Sequence, residues 1–211
     1  FLAAVLTSAG ARKPDADCVA AHLADANLKG HDSHGAGLLP VYVHHIRKGL
    51  VETEASPATL TDTPVLLRVD GNGGWGAPAG FGLIEQAGQK AKAGGLAAAT
   101  LGNVHHLGRV GAYGERAAAA GLASIHFVSV GDHAPLVAPF RGSDARFGTN
   151  PVCIAFPATA NRPAFVLDMA TSRIALGKAR VAANRGIALA QGNLIDEKGR
   201  PTTDPGGMAG F

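Results

Sequence analysis

Aromatic residues are scarce in this 211-residue chain, at 5%, and charged residues are few, at 17%. The low aromatic content argues against a small aromatic-rich β barrel. Lys and Arg outnumber Asp and Glu by 19 to 16, but the cations are scattered and no basic run interleaves with aromatics. Nucleic-acid binding is therefore not expected, and the mildly positive balance suits a small anionic substrate. Cys18 and Cys153 are the two thiols, far apart in apolar stretches. That pattern supplies no disulfide framework and predicts reduced, buried thiols in a cytoplasmic protein. No apolar run reaches membrane-spanning length. Phe1–Leu6 lacks the basic leader of a signal peptide and soon meets Arg12-Lys13. Neither a membrane anchor nor secretion is expected.

Apolar residues are plentiful, at 46%, with 29 glycines and long Ala runs. Such a chain buries enough surface to fold, as one large or two small domains. Helices packed closely on other backbone are expected. The chain opens inside a helical pattern without Met and ends on Gly206–Phe211, which closes no element. Continuation at one or both ends is expected.

Apolar spacing predicts helices over 2–9 and 14–28, with Pro14 in a first turn and Gly30 as the stop. A third helix is predicted from near Gly37 to Lys48, and residues 50–63 read as polar turns. Strands are predicted at Val65–Val69, Leu96–Leu101, Ser124–Val130, Val152–Phe156 and Ala164–Leu167. Helices are predicted over 78–93, over Gly108–Ala120 and from about Ser172, followed by a loop-rich 185–211. Alternating strands and helices imply an α/β fold. The organisation changes near residue 64, giving a helical segment 1–63 and an α/β domain 64–211 expected to be incomplete at its C-terminus.

Gly71-Asn72-Gly73-Gly74-Trp75-Gly76 matches G-x-G-x-x-G after a strand and before a helix. A dinucleotide fingerprint of that form also needs an acidic residue at the next strand end. Leu101-Gly102-Asn103 offers none, and Trp75 is bulky for a phosphate turn. The stretch is read as a structural Gly-rich turn.

Four other stretches hold chemistry-bearing side chains. Gly30–Gly35 carries His34, a group suited to proton exchange near neutrality, or equally to a local bond with Asp32. Gly102–Arg109 carries His105-His106 at a strand-to-helix junction, where free backbone N–H groups can meet an anion. Adjacent histidines without a nearby Cys or carboxylate do not suit a metal, and none is expected. His44-His45 reads as surface or packing. Thr149-Asn150 lies in the turn Phe147–Pro151, and Asp168–Ser172 ends a strand, placed either to cap the next helix or to hold a ribose or phosphate.

Together these stretches resemble the malate/L-lactate dehydrogenase family, the type unrelated to Rossmann enzymes. The resemblance is carried by Asp32-Ser33-His34-Gly35 with Leu39–Val43, His105–Gly108, Phe147–Pro151, Leu167–Ser172 and Pro201–Pro205, in the family's order. It implies a mixed-sheet cofactor domain with a helical N-terminal segment. It also implies a homodimer and an oxidoreductase using NAD or NADP on a small 2-hydroxy or 2-oxo acid. By that resemblance His34 is the proton-exchanging residue, and His106 is an active-site base or ligand contact. Asp168, Met169 and Ala170, with Thr171 and Ser172 adjoining, meet the nicotinamide cofactor; Thr149 and Asn150 belong to a further family motif assigned here to the cofactor. Ser33 and Arg47 are the substrate-binding candidates. Two departures stand out. Many members carry Arg four residues after the catalytic histidine, where this chain has Leu38, and Leu cannot pair with a carboxylate. Members also continue with a Gly-rich, Lys-containing segment that is not present here. These departures motivate an alternative, a non-catalytic binding or structural protein on the same scaffold.

Overall fold

The computed structural model describes residues 1–131 and 134–208. Two compact units are formed, Phe1–Ser124 with Ala155–Val166, and Ile125–Ile154 with Leu167–Phe211.

The first unit begins with α1 (Leu2–Ala9) and α2 (Lys13–Leu28). Gly10 ends α1 at φ 118°, where its N–H reaches the carbonyls of Leu6 and Thr7, a backbone state that costs glycine little. Pro14 stands in the first turn of α2, and Asp15 there pairs with Arg12 at 2.7 Å. Two 3₁₀ turns follow, Asp32–His34 and Ala36–Leu38, before α3 (Leu39–Arg47). The predicted third helix therefore starts two residues late, because Pro40 has no N–H to donate and sits where none is needed. Leu6, Val19, Leu23, Leu38, Leu39, Tyr42 and Trp75 form the core shared by these helices.

A three-stranded mixed sheet has the order β1-β2-β3. β1 (Ala58–Asp62) runs antiparallel to β2 (Leu66–Gly74), and β3 (Ala98–Val104) runs parallel to it. β1 lies in the stretch read as polar turns; its residues are almost all exposed, so they carry no alternating apolar signal. Between β2 and β3 comes α4 (Gly76–Gly94), which packs on both strands, and α5 (Gly111–Ala119) packs on α4. The Gly-rich stretch differs from its predicted turn: through Gly74 it is strand, paired with Val104 across a register shift.

Strands β4 (Ser124–Phe127), β5 (Val152–Phe156) and β6 (Phe165–Met169) pair in that order, each with residues counted in both units. The second unit adds α6 (Leu176–Asn184) and a short antiparallel pair, β7 (Leu194–Ile195) with β8 (Pro201–Thr202). Among the described residues no helix is long and apolar enough to cross a membrane. The alternation of strands and helices thus gives the expected α/β fold with helices at the N-terminus.

Leu23 is fully buried in α2 within the helical core. Leu23→Ala is expected to lower unfolding free energy by about 2–5 kcal/mol, read from the denaturant midpoint with an unchanged slope.

Candidate active site

His34 lies in the first 3₁₀ turn, whose backbone is closed by His34 N–H donating to His31 at 2.9 Å. Asp32 accepts from Asn27 Nδ2 at 2.6 Å. Ser33 Oγ instead lies 3.0 Å from His34 Nδ1. The partner imidazole comes from the loop after β3. His106 stacks on His34 with ring centroids 5.6 Å apart and planes 18° from parallel.

Several contacts hold the 105–108 loop. Asp70 Oδ1 accepts from Asn72 N–H at 2.7 Å and from Asn103 Nδ2 at 2.9 Å. Both asparagines adopt φ 52°, a left-handed state that Asn tolerates better than most residues. The Asn72 N–H and then the Asn103 amide hold the Asp70 carboxyl below its ordinary range. A Cβ on Gly76 would lie 2.2 Å from the His105 carbonyl oxygen and 2.6 Å from that of His106. Gly76 therefore admits the loop, and Gly71 admits Val104 at the end of β3. His22, on α2, bonds the Leu107 carbonyl at 3.1 Å, and Tyr113 donates to the same oxygen at 2.5 Å. A carbonyl only accepts, so His22 carries its proton on Nε2. Arg109 is 4% exposed and forks onto Glu115 at 3.0 and 2.7 Å while reaching Asp25 on α2 at 3.0 Å.

The histidines of α3 divide. His44 faces solvent, whereas His45 Nδ1 meets His105 Nε2 at 2.8 Å. His105 is held edge-on by Trp75 and Tyr42, with centroids 5.4 and 4.9 Å away. Tyr42 Oη lies 2.7 Å from His106 Nδ1. Sequence reading did not single out Tyr42 as functional; its register with His45 on α3, one turn apart, is the signal that was present. Arg47 is exposed at the helix end. It lies roughly 140° around the helix from Tyr42, so α3 does not turn it toward these imidazoles. Leu38 is buried in the helical core. Among the described residues, no three His, Cys, Asp or Glu side chains are grouped as a metal would require.

The second unit gathers the other candidates. Thr171 Oγ1 donates to Asn150 Oδ1, joining two motifs separated by 21 residues. Thr149 accepts from Val130 N–H through its carbonyl at 3.2 Å. Asp168 and Met169 end β6, and the Asp168 charge acts on His126 of β4, opposing the stronger effect of burial that lowers that imidazole's pKa. Ser172 Oγ closes its own turn on Ile174 at 2.9 Å. None of these side chains caps α6, which begins at Leu176 with Ala175 before it. Thr149, Asn150, Thr171 and Ser172 offer neutral hydroxyls and an amide, and Met169 is half-exposed. That set fits a nicotinamide nucleotide, whose ribose hydroxyls and carboxamide need neutral partners and whose ring needs an apolar face.

Burial lowers the pKa of His22, and the desolvation of a ring crowded by others, followed by the neighbouring His34, lowers that of His106. His106 is crowded by the rings of His34 and Tyr42 on one side and open to solvent on the other.

The sequence profile described as malate/L-lactate dehydrogenase matches residues 1–210. Hydroxycarboxylate dehydrogenase B of Escherichia coli (strain K12) is 45% identical over 208 residues, covering 99% of this chain and 57% of that protein. L-lactate dehydrogenase of Cupriavidus necator is 42% identical over 195 residues, covering 92% and 56%. The crystal structure of a dehydrogenase from Sinorhizobium meliloti superposes with a TM-score of 0.90 at 35% identity, covering 99% of this chain and 60% of that one. The chain spans a little over half the length of the curated relatives it matches.

Two predictions follow from the packing and charge of this cluster. Gly76→Ala is expected to cost about 1–3 kcal/mol by overpacking, and to shift the His105 and His106 ring resonances in an NMR spectrum. His22, His106 and His126 are all held below their unfolded value of about 6.5. They stay neutral when folded and gain protons when unfolded. Stability is therefore full above pH 6.5 and is lost as pH falls from there toward the folded values. Denaturant titrations at pH 7, 6 and 5 should show the decline, and His106→Gln should make it shallower.

Proposed function

The chain belongs to the malate/L-lactate dehydrogenase family, and from that premise we propose that it acts in an oxidoreductase passing a hydride between NAD or NADP and a small 2-hydroxy or 2-oxo acid. His34 serves as general acid and base, with His106 beside it. The stacking of these two imidazoles, with Ser33 on His34 Nδ1, is the observation that carries the reading. The relatives named above, dehydrogenases of hydroxycarboxylate and L-lactate, agree with it.

In the reductive direction charge builds on the carbonyl oxygen of the substrate. His34, as imidazolium, keeps Nδ1–H on the Ser33 hydroxyl and gives up the proton on Nε2. The neutral ring that remains has its lone pair on Nε2, ready to accept the proton back in oxidation. Ser33 thus selects the nitrogen that exchanges, because one ring nitrogen's bond decides the role of the other. A positioned acid of this kind contributes about 10²–10⁴-fold.

Thr149, Asn150, Asp168, Met169, Ala170, Thr171 and Ser172 hold the nicotinamide cofactor, which when bound supplies or accepts the hydride. In this reading the helical segment 1–63 provides the acid and residues 64–211 the cofactor domain. Ser33 meets the substrate. The working form is a cytoplasmic homodimer acting on a small anion.

A panel of 2-oxo acids with NADH and NADPH, followed by nicotinamide absorbance, tests the activity. His34→Ala should lower turnover by about 10²–10⁴-fold while leaving cofactor affinity nearly unchanged; unaltered turnover overturns the assignment. Reduction should fall as pH rises through the titration of His34, and oxidation should fall as pH drops through it. If His34→Gln keeps the same limb, the proton comes from another group, with His106 the first candidate to test.

A further inference from the structure

We propose that Tyr42 is a positioning residue whose hydroxyl donates to His106 Nδ1, fixing His106 as the Nε2–H tautomer so that it serves the site as a neutral hydrogen-bond donor beside His34. The role in the site rests on the acid/base reading of His34 given above; the tautomer itself does not.

The assignment comes from accounting for two protons. Tyr42 Oη and His106 Nδ1 lie 2.7 Å apart, on α3 and on the loop after β3, 64 residues away. One of the two atoms must donate. Were Nδ1 protonated, the phenol oxygen would accept, and the phenol's own proton would need a second acceptor. Among the described residues the Tyr42 hydroxyl has no other hydrogen bond, and the residue is 4% exposed. That arrangement buries an unsatisfied donor, which is costly. With the phenol donating, the one bond satisfies both atoms, and the imidazole proton is placed on Nε2. Burial also raises the Tyr42 pKa, keeping the hydroxyl protonated as a donor must be.

The phenol is itself held in place. Its ring meets Trp75 at 6.1 Å and His105 edge-on at 4.9 Å, and it belongs to the helical core. The hydroxyl is therefore aimed by packing rather than by solvent. The consequence falls on the stacked pair. Two parallel imidazoles 5.6 Å apart repel when both are charged. A proton donor on Nδ1 favours the neutral His106 ring, and that leaves the charge to His34. His106 can then offer Nε2–H to an oxygen of the substrate without changing its own protonation.

The test uses protein labelled with ¹⁵N at histidine, with the His106 resonances assigned by their loss in His106→Gln. Long-range ¹H–¹⁵N correlation at pH 7–8 should show an unprotonated Nδ1 and a protonated Nε2 at His106. Tyr42→Phe keeps the packed ring and removes the hydroxyl. In that variant His106 should show a mixture of tautomers. With the 2-oxo acid that the protein reduces best, kcat should fall about tenfold, the loss of one hydrogen bond, while cofactor affinity stays unchanged. A protonated Nδ1 in the wild type, or a tautomer unmoved by Tyr42→Phe, overturns the positioning. A moved tautomer with unchanged kcat overturns its service to the reaction. If the tautomer moves as described but no 2-oxo acid is reduced, the positioning stands and the dehydrogenase reading fails instead.

Discussion

No side chain fits at Gly76, and the histidine cluster depends on that. The first residue of α4 lies against the carbonyl oxygens of His105 and His106, at distances only a hydrogen can occupy. Because α4 abuts the loop there, Trp75 lies beside His105 from one side and α3 supplies Tyr42 and His45 from the other. Gly108 repeats the device farther along the loop, at φ 70° and with His22 where a Cβ would be. Backbone contact, which tolerates little adjustment, thus sets the positions of rings that would otherwise be free to rotate.

Charge is divided in a matching way. The imidazoles His22 and His106 are held below the ordinary histidine pKa, His22 by burial and His106 by desolvation among crowded rings and by its histidine neighbours, while the cations and carboxylates of the same region are gathered in the Asp25, Lys29, Arg109 and Glu115 network between α2 and α5. A buried guanidinium adds little stability by itself, but removing one partner leaves an expensive remainder. The network is best read as a fastener between the helical segment and α5. It keeps formal charges paired with one another and not with the histidines.

Much of the fold was legible because its signals are local. The helices at 2–9 and 14–28, and the strand Val152–Phe156, follow from apolar spacing and from Pro and Gly at their ends. β1 was not legible, since an exposed edge strand has no apolar face to alternate, and the Gly-rich stretch was read as a turn because glycine is scarce in strands. The approach of Val104 and the 105–106 carbonyls is what requires Gly71 and Gly76, and no spacing in the sequence reveals it. His34 and His106 stood out as residue types. Tyr42 did not, because a tyrosine in an amphipathic helix reads as core, and its hydroxyl acquires meaning only through a partner far along the chain.

That distance has a consequence for how the protein is made. The bonds that define the cluster, His22 to Leu107, Asp25 to Arg109, Tyr42 to His106 and His45 to His105, each close a separation of between 60 and 85 residues. Closing such loops is entropically costly and slow compared with forming a helix. During synthesis the N-terminal helices emerge first, carrying half of every pair. They must wait with those polar halves unmatched until the 105–109 loop leaves the ribosome, a delay of several seconds at roughly 5–20 residues per second. The cluster can thus form only once residues 105–109 have been made, long after His34 itself, and before the strands and helix of the second unit.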